Sequence, residues 1–281
     1  MGSAIARRVV EQGGDLVVWN RSESAMVDAK ESGIQTAKTL LELFESVDVV
    51  ISVFSNDAAV LEAFSPEFLG GISNKPIHIN MATISLEAAK ELQERHELAG
   101  VEYLGAPVLG RPVVASAGKL LCVVGGKSET LASAAPVLDL FTAKIFHMGT
   151  EAWVSAVVKL GVNYNLIHAM QALAESLAMV EAAGVEGSKF VEILTTAAFT
   201  GSAYQGYGPM IAGQHYSPPG FNMSMGLKDM GLIESASKDL GLALPMAPIL
   251  KRIYERALQD PELVDYDWSA MAEVTKRQLD L

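Results

Sequence analysis

The sequence predicts an α/β region with a doubly wound, parallel sheet over residues 1–150, followed by an all-helical region over residues 151–281. Two observations support this division. Short apolar runs alternate with amphipathic helical stretches in the first region, and no strand-like run appears in the second. Half of the 281 residues are hydrophobic and 19% are charged, which is enough apolar material for a substantial core.

Six apolar runs are the expected strands of the first region. Their continuous apolar centres are typical of strands that are covered on both faces. They are residues 15–19, 48–54, 76–82, 101–108, 119–126 and 143–149. Helical stretches such as 85–100 and 128–141 lie between them. This alternation is typical of a parallel sheet with helices on both faces.

The second region begins with a mostly apolar helix, predicted over residues 151–184. Further helices are expected at 188–198, 226–241 and 246–259, and residues 200–221 are expected to form a loop that interrupts the helical pattern. A long apolar helix needs another surface to cover it. We therefore expect a homodimer formed through the helical region.

Composition excludes several classes of protein. The net charge of −12 disfavours nucleic acid and anionic membranes as general partners. No apolar run approaches about 18 residues and no signal peptide is evident, so we expect a cytoplasmic protein without a membrane span. The single cysteine, Cys122, rules out a disulfide framework and is expected in the core. The histidines lack metal-ligand spacing, so no metal is expected.

The first residues fit part of a dinucleotide-binding motif. In the Gly-x-Gly-x-x-Gly fingerprint, a strand leads into a glycine turn and then into a helix whose N-terminus receives the pyrophosphate. Gly2 fits the third glycine, and Asn20 stands near the usual ribose-binding position. We therefore predict a Rossmann-type domain with Gly2 at the cofactor. Met-Gly-Ser is also compatible with a cloning remnant.

The strand and the first two glycines of that fingerprint have no counterpart in the sequence. From the fingerprint we expect roughly 10–15 further residues ahead of Met1, formed by an apolar strand and then Gly-x-Gly. On this expectation the pyrophosphate site is incomplete in the 281-residue chain.

The turn after the second expected strand indicates which dinucleotide binds. An acidic residue there would accept a hydrogen bond from the ribose 2′-hydroxyl and repel a 2′-phosphate. Asn20 is neutral, Arg21 can pair with phosphate, and Ser22 adds a hydroxyl donor. The turn therefore favours NADPH over NADH, and the alternative is an ordinary solvated turn.

Four segments, "NMATIS" (80–85), "GAPVLGRP" (105–112), "VVKLGVNYN" (157–165) and "FNMSMGLKDMGLIESASKDLG" (221–241), follow each other in a characteristic order. In that order and spacing, the chain from Gly2 onward resembles the β-hydroxyacid dehydrogenase family. That family includes 3-hydroxyisobutyrate dehydrogenases, glyoxylate/succinic semialdehyde reductases and, more distantly, imine reductases.

The resemblance implies roles for residues of the first two segments. Thr83 would contact the cofactor near the nicotinamide and Ser85 would help to position the substrate, while both also read as the cap of the next helix. Residues 105–112 would form the substrate loop, with Val108 and Gly110 matching the family pattern. Leu109 and Arg111 replace its serine and second glycine. Arg111 could bind a carboxylate or face solvent.

The third segment would carry the chemistry. Lys159 and Asn163 are four residues apart and would share one helix face. The resemblance makes Lys159 the proton donor or acceptor and Asn163 a substrate-holding residue. An ammonium near the developing oxyanion suits hydride addition to a carbonyl, and apolar neighbours would lower the pKa of Lys159. The alternative is a lysine on the surface of the helix.

The fourth segment implies that Lys228 approaches the cofactor and that Asp229 orients the cofactor, the substrate or the active-site lysine. The alternative is a solvated ion pair on the helix surface.

Together these features predict an NADPH-dependent oxidoreductase that reduces an aldehyde or keto acid, or oxidises a 3-hydroxy acid. An imine or iminium reductase is one alternative, since Leu109, Tyr204 and Tyr207 suit a less polar substrate. A catalytically silent NADPH-binding protein is the other.

Overall fold

The computed structural model describes residues 1–281, apart from the side chain of Ser202, and divides into two compact units, Met1–Lys159 and Leu160–Leu281. The helices of the first unit are α1 Gly2–Glu11, α2 Glu23–Glu31, α3 Leu40–Ser46, α4 Asp57–Ala63, α5 Pro66–Gly70, α6 Leu86–Ala99, α7 Pro112–Ser116 and α8 Ser128–Leu138. Its strands are β1 Val17–Val18, β2 Gln35–Thr36, β3 Val49–Ser52, β4 Ile77–Asn80, β5 Tyr103–Gly105, β6 Val108–Leu109, β7 Leu120–Val124 and β8 Thr142–His147.

The strands of the first unit form three small sheets. β1 pairs in parallel with β2, and β3, β4 and β5 form a second parallel sheet in that order. In the third sheet, β7 pairs in parallel with β8 and antiparallel with β6. The alternation of strands and helices confirms the predicted Rossmann-like α/β class.

Two core clusters cover the strands of the first unit. We call them the phenylalanine cluster, which includes Phe44, Phe64 and Leu92, and the aliphatic cluster, which includes Ile5, Val9, Ile79 and Leu104. Along β3, Val50 packs in the phenylalanine cluster whereas Val49 and Ile51 pack against the aliphatic cluster. This alternation explains the continuous apolar runs, because each such strand buries both faces.

Two strand predictions differ from the structure. Residues 101–108 were expected as one strand, but Ala106 and Pro107 interrupt it, and β5 and β6 belong to different sheets. Pro107 has no N–H to donate to a ladder, although its carbonyl accepts from Val123 N at 3.1 Å. The pair Gln35–Thr36 was not predicted as strand β2, since two polar residues carry no apolar pattern.

The second unit is helical. Its elements are α9 Val154–Ala182, which begins in the first unit, α10 Gly187–Ala197, α11 Ser202–Ala212, α12 Met223–Asp239, α13 Ala247–Leu258, the 3₁₀ helix Trp268–Met271 and α14 Ala272–Lys276. The predicted all-helical class is confirmed. The expected loop at 200–221 is wrong in its first half, because α11 occupies it despite the internal Pro209. No helix in the part of the chain that the structure describes has both the length and the apolarity to cross a membrane.

Candidate functional site

The N-terminus of α1 is the first feature of the predicted cofactor site. Gly2 is the first residue of this ten-residue helix, so its amide lies among the N–H groups that no helical carbonyl satisfies. Gly2 and Asn20 both line a cavity of about 870 Å³ within the first unit. An anionic group suits this helix end because the N–H groups and the helix dipole both favour negative charge.

The turn after β1 has a defined local structure. The side-chain Oδ1 of Asn20 accepts a hydrogen bond from the Ser22 amide at 2.8 Å, which forms an Asx-type turn. Ser22 stands at the N-cap of α2, and its hydroxyl lies 2.8 Å from the hydroxyl of Ser24. Arg21, which lies between Asn20 and Ser22, is exposed. The turn therefore fixes the backbone while the guanidinium stays accessible to solvent.

Ser85 and Thr83 follow the carboxyl end of β4. Ser85 caps α6, because its Oγ accepts from the Ala88 amide at 3.1 Å. Its own amide donates to Asp57 Oδ1 at 3.0 Å, and the residue is buried. The predicted helix cap is confirmed for Ser85. The cofactor contact of Thr83 and the substrate contact of Ser85 stay predictions.

The predicted substrate loop begins as a strand. Val108 and Leu109 form β6, and Gly110 follows with φ 141°, a backbone conformation that side chains rarely adopt. A Cβ on Gly110 would also lie 2.7 Å from Leu120 Cδ2. Arg111 is half-buried at the N-cap position of α7. Gly110 therefore allows the backbone to turn between β6 and α7, and this turn determines the position of the Arg111 backbone.

Lys159 and Asn163 lie four residues apart in α9, as the spacing predicts. Lys159 is half-buried, and its neighbours Val157 and Val158 are half-buried as well. Asn163 is 4% exposed. Helical periodicity sets these two side chains on one face of α9.

A buried carboxylate holds Asn163 within the second unit. Asn163 Nδ2 donates to Asp229 Oδ2 at 2.6 Å, and Asp229 on α12 is fully buried. Lys228 Nζ lies 3.3 Å from the other oxygen, Asp229 Oδ1. Because a carboxylate only accepts, this contact orients the amide with its nitrogen toward Asp229. The structure thus joins three of the predicted residues in one polar group.

Sequence reasoning missed a buried polar chain in the first unit. His96 Nδ1 lies 2.6 Å from the carbonyl of Leu92, His96 Nε2 lies 2.7 Å from His78 Nδ1, and His78 Nε2 lies 2.8 Å from Ser52 Oγ. The Leu92 carbonyl can only accept, so the neutral chain runs in one direction from Ser52 to Leu92. Burial lowers the pKa of His96 to about 4 and that of His78 well below its usual value.

The chain of histidines continues to the end of β4. Asn80 Oδ1 lies 3.2 Å from Ser52 Oγ and accepts from the Ala82 amide at 3.1 Å, while Asn80 Nδ2 donates to Tyr103 Oη at 3.2 Å. Ser52 and Asn80 are the last residues of β3 and β4. Ligands of open α/β sheets bind beside such carboxyl ends. The signal in the sequence was the presence of polar residues within apolar strands.

The described residues contain no cluster of three or more His, Cys, Asp or Glu side chains that could hold a metal ion. The first unit offers a helix N-terminus, a turn with an exposed arginine, and a half-buried lysine, and the second unit offers an oriented amide. Such groups can bind a phosphorylated cofactor, transfer a proton and hold a polar substrate atom.

Known protein families match both parts of the chain. The NAD binding domain of 6-phosphogluconate dehydrogenase matches residues 1–149. The NAD-binding domain of NADP-dependent 3-hydroxyisobutyrate dehydrogenase matches residues 155–275.

Individual proteins are similar over nearly the whole chain. An uncharacterized oxidoreductase, YfjR of Bacillus subtilis, is 36% identical over 98% of this chain and 96% of its own length. Glyoxylate/succinic semialdehyde reductase 1 of Arabidopsis thaliana is 25% identical over 98% of this chain and 95% of its own.

Solved structures share the fold. The structure of Mycobacterium tuberculosis 3-hydroxyisobutyrate dehydrogenase with L-serine has a TM-score of 0.88 at 26% identity and covers 98% of this chain and 95% of that one. A Streptomyces aurantiacus imine reductase has a TM-score of 0.65 at 17% identity over 98% of this chain and 96% of its own, and shows the fold alone.

Proposed function

Because the chain belongs to the β-hydroxyacid dehydrogenase family and is an NAD(P)-dependent oxidoreductase acting on CH–OH or C=O groups, we propose that it uses NADPH to reduce a small aldehyde or keto acid. The reverse reaction would oxidise a 3-hydroxy acid. The observation that carries the proposal is the buried hydrogen bond of 2.6 Å between Asn163 and Asp229. Asn163 lies on α9, the helix that also bears Lys159.

The residues of the first unit suit a nicotinamide dinucleotide. Gly2 at the start of α1 would receive the pyrophosphate, since glycine itself places no side chain at the helix N-terminus. Asn20, Arg21 and Ser22 would surround the ribose 2′-phosphate, and the exposed guanidinium of Arg21 supplies the charge that NADP requires. Thr83 would contact the nicotinamide side. When bound, the cofactor supplies the hydride.

The helical unit would contribute Lys228 to cofactor binding, with Asp229 oriented between Lys228 and Asn163. Lys159 would deliver a proton to the oxygen that becomes the hydroxyl, or remove it in the reverse direction. Asn163 turns its nitrogen toward Asp229, so its Oδ1 is left to accept a hydrogen bond from the substrate hydroxyl.

The substrate loop supports a substrate with a carboxylate. Arg111, half-buried beside Gly110, offers a fork of donors that suits two carboxylate oxygens. Ser85 and Val108 would line the same site. The similar Arabidopsis reductase is named for glyoxylate and succinic semialdehyde, which are both aldehydes with a carboxylate. These two compounds are the first to assay, together with oxidation of 3-hydroxyisobutyrate.

The decisive experiment compares Lys159→Ala with wild type on the best substrate of that panel. We expect kcat to fall by roughly 10²–10⁴ with little change in NADPH binding, because general acid catalysis is worth about that much. Lys189→Ala is the matched control, since this lysine is exposed on α10 and pairs only loosely with Glu186. Unchanged turnover in Lys159→Ala would overturn the mechanism, whereas NADPH binding by the wild type without turnover of any compound in the panel would favour a silent NADPH-binding protein.

An imine or iminium reductase is the second candidate. Its support is Leu109, a half-buried apolar residue at a position where the family's carboxylate-using members have serine. A cyclic imine tested beside glyoxylate at fixed NADPH decides between them: turnover of the imine alone would replace the first proposal.

A homodimer and a cytoplasmic location also belong to the proposal. Several apolar side chains of the helical unit are exposed, among them Met179, Ile193 and Leu242. Contact between two copies would cover such surface. Sedimentation velocity at several concentrations tests the dimer, and a monomer at all of them would contradict it.

A further inference from the structure

The first turns of α9 belong to the first unit and carry Lys159. The helix begins at Val154, and Lys159 is the last residue of the first unit. The contacts that hold residues 151–156 therefore determine where this lysine stands. They come from a glutamine on α6 and from two glycines at the ends of β5 and β7.

The side chain of Gln93 on α6 caps the start of α9. Its Oε1 accepts hydrogen bonds from the Ala152 amide at 2.8 Å and from the Trp153 amide at 3.4 Å. Both amides precede the helix, where N–H groups have no helical carbonyl to receive them. Its Nε2 donates to Glu151 Oε2 and to Glu97 Oε1, at 2.9 Å each. The cap thus needs a side chain that accepts and donates at once, as an amide does.

Two glycines allow the same turn to lie directly on the backbone of the sheet. Gly105 ends β5 and Gly125 follows β7, and each donates its amide to the carbonyl of the other, at 3.1 and 2.8 Å. A Cβ on Gly105 would lie 2.5 Å from the Ala152 carbonyl oxygen, and one on Gly125 would lie 2.5 Å from the Glu151 carbonyl oxygen. These distances are well inside van der Waals contact, so a side chain at either position would displace the backbone of residues 151–152.

The face of α9 that contacts the sheet is also the face of Lys159. Ser155 is buried, and its Oγ would lie 2.7 Å from a Cβ on Gly105. Positions 155 and 159 are about one turn apart and share one face of the helix. Ser155 lines a small cavity together with Gly105 and Asn80, the last residues of β5 and β4. Lys159 therefore lies one turn from the carboxyl edge of the sheet, where open α/β sheets bind ligands.

We propose that Gln93 is a positioning residue that acts through Lys159. Gln93 fixes the two amides that open α9, and the glycines let this turn rest on the sheet, so contacts within the first unit set the place of the ammonium. A displacement of about 1 Å at a reacting group can cost about 10²-fold in rate. The effect on catalysis rests on the proposed function, because it requires Lys159 to transfer the proton. The anchoring of α9 does not.

The first variant removes the cap and keeps the length of the side chain. Gln93→Met can neither accept from the Ala152 amide nor donate to Glu151. We expect kcat on the best substrate to fall by about tenfold or more, while KM for NADPH changes by less than about twofold. Glu97→Ala is the matched control, because it removes the other partner of Gln93 Nε2 and leaves the start of α9 capped. Its kcat should equal that of wild type.

A paired exchange should restore the cap. Gln93→Glu combined with Glu151→Gln leaves an acceptor for the two amides, and the new amide at position 151 can donate to the new carboxylate at position 93. This double variant should recover most of the kcat that Gln93→Met loses. Gln93→Glu alone sets two carboxylates against each other and should recover less.

The Lys159→Ala background separates positioning from a general loss of structure. If Gln93 acts through Lys159, Gln93→Met should not lower kcat further once the lysine is absent. Gly125→Ala displaces the same turn from the sheet and should show the same dependence on the background. A loss of equal size from Gln93→Met in the two backgrounds would overturn the proposal.

Hydrogen exchange distinguishes a failure of this proposal from a failure of the proposed function. The amides of Ala152 and Trp153 should exchange at least about tenfold faster in Gln93→Met than in wild type or Glu97→Ala. Faster exchange together with unchanged turnover in Lys159→Ala would support the anchoring of α9 and contradict the proposed function. Unchanged exchange of both amides in Gln93→Met would overturn the anchoring, and with it the positioning role.

Discussion

The buried pair His78 and His96 predicts a specific loss of stability in mild acid. Both side chains are fully buried, and in the neutral chain each ring donates one hydrogen bond and accepts one. A second proton on His96 would bury a positive charge in the core and would require His78 to accept from His96 instead of donating to it. The folded chain therefore resists protonation, whereas the unfolded chain does not.

The size of the effect follows from the pKa values. Burial lowers the pKa of His96 from 6.5 to about 4, so below pH 6.5 the unfolded chain binds a proton that the folded chain does not. The free energy of unfolding is unaffected by this group above that pH and falls as the pH drops toward 4. Between about pH 7.5 and about pH 5, His96 alone accounts for about 2 kcal/mol. His78 adds to the loss in the same direction.

Urea unfolding followed by circular dichroism over this pH range measures the loss. His96→Gln should lower stability by about 1–3 kcal/mol at neutral pH, because it leaves buried partners unsatisfied. Its further loss between about pH 7.5 and about pH 5 should be smaller than that of wild type by about 2 kcal/mol. His215→Gln, at an exposed histidine, should keep the wild-type dependence. A wild-type urea midpoint that does not move toward pH 5 would refute the reasoning.

Three further predictions concern single residues. Asp229→Asn should raise KM for substrate by roughly tenfold or more in steady-state assays, since an amide can meet Asn163 in either orientation, while the melting temperature should change less than in Asp229→Leu. Gly110→Ala should lower the free energy of unfolding by about 1–3 kcal/mol in urea titrations, because φ is 141° and Leu120 is too close. The Cys122 thiol, whose pKa burial raises to about 12, should react with a disulfide reagent only after denaturation.

The α/β order could be predicted because strands buried on both faces leave a plain signal. Val49 to Ser52 and Leu120 to Val124 are continuous apolar runs with one core on each side, and the predicted strands contain them. β2 left no such signal. Its two residues, Gln35 and Thr36, are held by pairing with β1. Such pairing with residues distant in sequence cannot be predicted from local composition.

Helix α11 shows how packing overrides local preference. Pro209 and three glycines between residues 201 and 208 favour a break, yet the helix runs from Ser202 to Ala212. Ile211 in its last turn is fully buried, and Tyr207 Oη accepts a hydrogen bond from Trp268 Nε1 at 3.0 Å. Contacts with residues some sixty positions away therefore stabilise a segment that its own sequence does not favour.

The predicted site divides in the same way between local and distant causes. The spacing of Lys159 and Asn163 could be read because helical periodicity is local. The partner of Asn163 could not be predicted, since Asp229 lies on another helix and the adjacent Lys228 suggests a surface ion pair. Because Asp229 is fully buried, its carboxylate has a different role from that of a surface carboxylate. Water would compete for an exposed carboxylate, but one that is fully buried must be hydrogen-bonded, so Asp229 fixes the amide of Asn163 and leaves its Oδ1 as the acceptor that we propose for a substrate hydroxyl.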